Sequence, residues 1–275
     1  MGAVLLIAGK ELRDGLRNRW VVAATLLLAA LALGLTFLGG APTGGGLAAS
    51  RLAVVVVSLA SLTIFLVPLI ALLLSHDALV GEVERGTMLL LLAYPVRRWQ
   101  VVWGKLLGHG ALLAIATLLG YGAAGAVLAL PGEADPAGWQ AFALLIGSSI
   151  LLGAVFLGIG YLASGLAAER GTAAGLAVGA WLVFVLLFDL VLLGALAATE
   201  GRGISPTAFA WVLMLNPADV FRLLNLSAVE EVERFAGMAA AGGGAWPPAA
   251  LGLALVAWVV VPVTLATLVF QRRQL

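Results

Sequence analysis

Six stretches of this 275-residue chain are apolar over the length a bilayer demands: about 21–40, 52–75, 106–130, 141–168, 172–198 and 249–270. A hydrocarbon core about 30 Å thick requires about 20 such residues in a helix. Lipid offers no hydrogen bonds, so a spanning segment must satisfy its own backbone as a helix or belong to a closed barrel. Barrel strands would be shorter and would alternate polar with apolar residues, which these stretches do not. Of all the Lys, Arg, Asp and Glu residues, only Asp189 falls inside a window. Charged residues make up 11% of the chain, against about 25% in a soluble domain. The expectation is an all-α integral membrane protein with six transmembrane helices in a single domain, 1–275.

Lys and Arg concentrate in short cytoplasmic loops, and their placement here gives an orientation. Lys10, Arg13, Arg17, Arg19, Arg85, Arg97, Arg98, Lys105, Arg170, Arg272 and Arg273 flank one side of the spans, with Arg51, Arg202, Arg222 and Arg234 on the other. Both termini and segment 76–105 are therefore expected in the cytoplasm, and segment 199–248 outside. The first apolar run is too long and too late for a cleaved signal peptide and reads as an anchoring span. With no cysteine in the chain, disulfides, thiolate metal sites and a cysteine nucleophile are excluded. A net charge of +1 gives no case for nucleic acid.

Residues 1–19 place Leu5, Ala8, Leu12 and Leu16 at helical spacing, with Lys10, Arg13, Asp14 and Arg17 elsewhere. This reads as an amphipathic helix at the membrane interface, or as a basic flank that only sets topology. Loop 41–51 is Gly-rich. Gly171, Gly175 and Gly179 line one face of span five, and Gly160, Ser164 and Ala168 one face of span four; small faces let helices approach closely, within the chain or between two copies. In segment 199–248 the apolar run 204–215 reads as re-entrant or interfacial. Asn216 and Pro217 then start a helix through Asp219, Phe221 and Arg222, and Ser227 with Glu230 forms a capping box for a second. These two helices read as a lid, as a docking surface, or as simple packing on the outer rim.

No phosphate-binding loop is present: Gly104-Lys105 lacks both the loop and the hydroxyl. Energy must come from another protein or from an ion gradient. Ionisable groups at membrane depth are functional candidates by default, and two exist, His109 and Asp189. At opposite ends of the bundle they make a poor proton relay, and structural bonds are the alternative for each. Met and His are scattered, so no metal site is expected, and no catalytic constellation stands out. Segment 76–105 remains. Gly81 and Gly86 punctuate it, Thr87 reads as the cap of a short helix through Tyr94, and Pro95 closes that helix. Two readings stay open: a surface helix presenting Glu82, Glu84, Arg85 and Thr87 to a partner, or an interfacial loop without one.

The pattern E-x-E-R-G-T-M-x-x-L-L-A-Y-P-V-x-R followed by Gly104-Lys105 resembles the segment between spans two and three of ABC-2-type transporter permeases. The resemblance extends over essentially the whole chain. It implies that 76–105 is a coupling segment seated in a cytosolic ATPase, with Glu82, Glu84, Arg85, Gly86 and Thr87 at the main contact. Glu169, Arg170 and Gly171 would make a second contact. It further implies a homodimer and no cofactor in this chain, with ATP and Mg bound by the ATPase. "SLTIFLVPLIALLLSHDALVGE", "GKLLGHG", "FDLVLLG" and "LNPADVFRLLNLS" together resemble the permeases of transporters that serve copper-site maturation of nitrous oxide reductase. That narrower likeness implies a periplasmic β-helical partner docking on Asn216, Asp219, Phe221, Arg222, Ser227 and Glu230. A sulfur species, copper and no substrate at all all remain open. The rival readings are an ABC-2 exporter of a lipid, drug or other small molecule, and an ATP-independent scaffold or ion-coupled carrier.

Overall fold

The computed structural model describes residues 2–38, 51–130, 136–199, 205–228 and 246–273. Loop 41–51, except for its last residue, and the second external helix with Glu230 lie outside the described residues. Among the described residues every regular element is helical. Six helical runs are long and apolar enough to cross a membrane. The first is α2 (Arg19–Leu38) and the second α3 (Arg51–Ser75). The third and fourth are α6 (Arg98–Ala129) and α7 (Pro136–Leu166). The fifth is built of α8 (Arg170–Leu182), a π-helical turn (Val183–Leu187) and α9 (Phe188–Ala198), and the sixth is α12 (Pro248–Arg272). Ahead of them lies α1 (Gly2–Leu16). Two short helices, α4 (Val80–Glu84) and α5 (Thr87–Leu92), join spans two and three.

The fourth span, α7, is the centre of the bundle, packed against α3, α6 and α12. Its apolar side chains Leu145, Leu152, Val155, Phe156 and Leu157 are fully or almost fully buried. Polar groups at this depth bond within the bundle, since an unsatisfied group there costs several kcal/mol: the hydroxyls of Thr63 and Tyr121 meet at 2.6 Å. Gly153 and Gly160 sit where a side chain would collide with Leu113 and Ser75, so small residues on α7 serve packing inside the chain. The glycine face of span five differs. A Cβ at Gly175 or Gly179 would meet no atom within 4 Å, and span five is the least buried of the six.

Between spans five and six, α10 (Pro206–Met214) and α11 (Pro217–Leu226) form a broken pair bent by 116°. Both start as their sequences dictate. Ser205 Oγ accepts from the Ala208 amide, Asn216 Oδ1 accepts from the Ala218 amide, and a proline opens each helix. The pair does not stand off as a surface element. Val220, Phe221, Leu223 and Leu224 are buried against α3, α7 and α12.

Candidate functional site: a segment backed by a buried ionic network

The N-terminal helix lies against the start of span three because α6 offers it a groove. A Cβ at Gly104 would stand 3.0 Å from the Val4 carbonyl oxygen, and one at Gly108 would stand 2.8 Å from that of Ala8. Only glycine allows the two backbones to come so close. The face that docks carries Ile7 and Glu11, both buried, while Leu5, Leu6 and Leu16 point outward. Of the stripe expected from sequence, Leu5 and Leu16 thus lie on the outer face, while Ala8 lies against Gly108 of α6. The inner one is chosen by what α6 presents.

What α6 presents is Lys105, 2% exposed. Its ammonium lies 2.8 Å from Glu11 Oε1 and 2.7 Å from Glu82 Oε1. One turn on, His109 Nε2 faces Glu11 Oε2 at 3.3 Å. The His109 Nδ1 meets the Tyr161 hydroxyl at 2.6 Å. A ring with its hydrogen on Nε2 fits both contacts, donating to the carboxylate and accepting from the phenol. Burial works to raise the Glu11 pKa, but the His109 hydrogen bond and the Lys105 charge more than offset it and hold the carboxyl well below its usual range.

That shift has a testable consequence. A depressed folded-state pKa contributes stability above the unfolded value, roughly 4.3 for Glu, and loses it as pH falls through the folded value. The stability difference between wild type and Glu11→Gln should therefore be constant from about pH 8 to 5 and shrink only in stronger acid. Thermal unfolding of both forms across that range checks it.

Glu82 was expected to face a partner; it is turned inward instead, because the buried Lys105 ammonium needs a second carboxylate. Two residues on, Glu84 points the other way. Its Oε2 stands 3.1 Å from Arg170 Nε, and its Oε1 accepts the Arg170 amide at 2.8 Å. Residues two apart on a helix diverge by about 200°, so α4 reaches span three with one carboxylate and span five with the other. Its first turn is held from behind by Ser164 of α7, whose Oγ accepts the amides of Leu79 and Val80 at 3.0 Å each.

The expected helix cap is also displaced. Gly86, with φ 71°, takes the cap position in a left-handed conformation that suits glycine. Thr87 becomes the first helical residue and donates to the Glu82 carbonyl at 3.2 Å. Arg85 is half exposed, 4.0 Å from Asp77. Glu169 precedes α8 in extended conformation and accepts from the Thr172 hydroxyl at 3.3 Å; Gly171 follows on the open side of that helix. The two loops expected to touch a partner are thereby tied to each other through Glu84 and Arg170.

The outward face of the segment belongs to residues that sequence reasoning passed over. Leu89, Leu90 and Tyr94 are 59%, 69% and 71% exposed, while Met88 of the same helix is buried. The signal was available in the helical period: 89 and 90 lie on the side opposite the buried position. Glu11 and Lys105 were missed as well. The repeat Gly104-Lys105 and Gly108-His109, four residues apart, marks one face of α6 with both the groove and its charges.

At the far end, Asp189 is paired. Arg222 Nη2 donates to its Oδ2 at 2.8 Å, and Arg222 Nη1 donates to Asp219. Asn216 Nδ2 donates to Asp219 and also to the Phe184 carbonyl in the π-helical turn. Asn216, Asp219 and Phe221, expected on a docking surface, are buried and face inward, because the polar end of α11 must satisfy span five at depth. Ser227 is the C-cap of α11, its hydroxyl donating to the Leu224 carbonyl; the helix it was expected to open lies outside the described residues. Among the described residues no three His, Asp or Glu side chains gather to hold a metal ion.

The described residues form a helical bundle of six spans with a short, internally braced helix pair between spans two and three. The chain belongs to the ABC-2 family of transporter proteins, whose pattern it matches over residues 5–275. It is similar to the "Probable ABC transporter permease protein NosY" of Stutzerimonas stutzeri, 48% identical over 276 residues covering 99% of both chains. A protein of the same description from Pseudomonas aeruginosa is 48% identical over 283 residues, again over 99% of both. The chain is a multi-pass permease subunit of an ABC transporter.

Proposed function

We propose that this permease takes its energy at segment 76–105 from a cytosolic ATPase, which binds ATP and Mg, and passes it to the six spans. One observation carries the reading. The coupling segment is gripped from behind by Lys105, Ser164 and Arg170 while Leu89, Leu90 and Tyr94 project outward. A push on that face reaches spans three, four and five at once. The distribution of Lys and Arg supports placing this face and both termini in the cytoplasm of a bacterial cell, with the protein in the inner membrane. The open glycine face of span five supports a homodimer, since among the described residues no atom lies within 4 Å of a Cβ built at Gly175 or Gly179. Asp189 and His109 are each engaged by neighbours, Arg222 for one and Glu11 with Tyr161 for the other. That weighs against an ion-coupled carrier.

The finer reading is a role in copper-site maturation of nitrous oxide reductase together with a periplasmic β-helical protein. Its support is the similarity to the two NosY permeases along the full chain. The test is complementation. A denitrifying host lacking its own such permease should regain a reductase with its copper absorption bands when it carries this chain. If a functional, membrane-inserted chain leaves the reductase without copper, the general exporter reading replaces it.

A further inference from the structure

The N-terminal helix and the coupling helix share almost no packed surface, yet both end on the same ammonium group. Glu11 of α1 and Glu82 of α4 reach Lys105 of α6 at 2.8 and 2.7 Å. We propose that Lys105 is a positioning residue that makes α1, α4 and the start of span three a single moving body, so that displacement of the coupling segment carries the N-terminal helix with it. This rests on the reading of 76–105 as the point of energy entry.

Three observations argue for a rigid junction. Lys105 is 2% exposed, and both of its carboxylate partners have mostly buried side chains. Separating either partner would strand a charge out of water, which costs far more than the net gain from pairing. At Gly104 and Gly108 of α6 the α1 backbone, with the Ile7 and Glu11 side chains, packs where a Cβ would stand, so the helix pair has little freedom to slide. The second carboxylate of α4, Glu84, is committed to Arg170 of span five. The coupling helix thus divides its two acidic residues between two bodies: Glu82 holds α1 with span three, and Glu84 holds span five.

The test reads α1 while changing α4. Glu82→Ala leaves Lys105 paired with Glu11, so no buried charge is stranded and the chain is expected to fold. In the full-length permease in lipid nanodiscs, this variant should speed amide hydrogen exchange across residues 2–16. The expected increase is on the order of tenfold, from loss of a charge-assisted hydrogen bond two elements away. Glu84→Ala, which cuts only the tie to span five, should leave that exchange unchanged. Unchanged exchange in Glu82→Ala, or equal acceleration in both variants, would overturn the proposal. In a second arm the permease is purified from native membranes with its ATPase. Mg-ATP should alter exchange in residues 2–16 of the wild type and not of Glu82→Ala; an identical response in the two also overturns it. If no ATPase accompanies the wild type, the coupling reading fails, while the nanodisc comparison still decides the junction.

Discussion

Glutamate in place of both Leu89 and Leu90 is expected to abolish recovery of an ATPase with the permease while leaving the permease folded. Both side chains are more than half exposed and pack on nothing that the fold needs, so the folded state loses little. A cleft that receives them would bury two leucines, each worth about 1.5–3 kcal/mol. Exchanging them for carboxylates forfeits that gain and adds a desolvation cost, so affinity should fall by more than about a hundredfold. The contrast that gives the result meaning is Glu82, one of the acidic residues expected at the contact, whose carboxylate is bonded to Lys105. Co-purification yield beside the thermal transition of the permease alone measures both effects.

Arg222→Met should be the most destabilising single change at the far end of the bundle. Arg222 pairs with two carboxylates, Asp219 on its own helix and Asp189 on span five. Asp219 is 1% exposed, so removing the guanidinium leaves a carboxyl that must stay charged where water cannot compensate it or take up a proton, and either costs stability. Breaking a buried pair from one side costs about 2–5 kcal/mol. Adding Asp189→Asn and Asp219→Asn to Arg222→Met should recover much of the loss, because the stranded charges go with the cation. Denaturant titration of the three forms in detergent checks the order. If the triple variant is weaker than the single, Arg222 acts through packing and the charge account fails.

Much of this was legible in sequence, and the limits follow a physical line. The six spans could be read because lipid imposes length and apolarity on each segment separately. The start of α11 could be read because Asn216 and Pro217 act on the backbone beside them. Side-chain direction on short helices could not. Glu82 looks as solvated as Glu84 until Lys105, 23 positions later, is brought against it across the turn. The same holds for α1. Its leucines sort polar from apolar correctly, but the buried side is decided by Gly104, Lys105 and Gly108 of another helix. Asp219 fails for the same reason, being drawn inward by Asn216 and Arg222 and by the demands of span five. Local rules gave the spans and the cap at Asn216; the direction of each charge was set by partners remote in sequence.

The absence of cysteine from the chain makes the most direct test a clean one. A single cysteine at Leu90, on the coupling face, is compared in native membranes with one at Leu130, at the opposite end of span three and 84% exposed. A short bifunctional maleimide–amine reagent then joins each to whatever protein lies beside it. The account predicts that position 90 captures a P-loop ATPase and that position 130 does not. Capture of that ATPase from position 130, or none from position 90 with the cysteine fully reactive, would contradict energy entry at this segment.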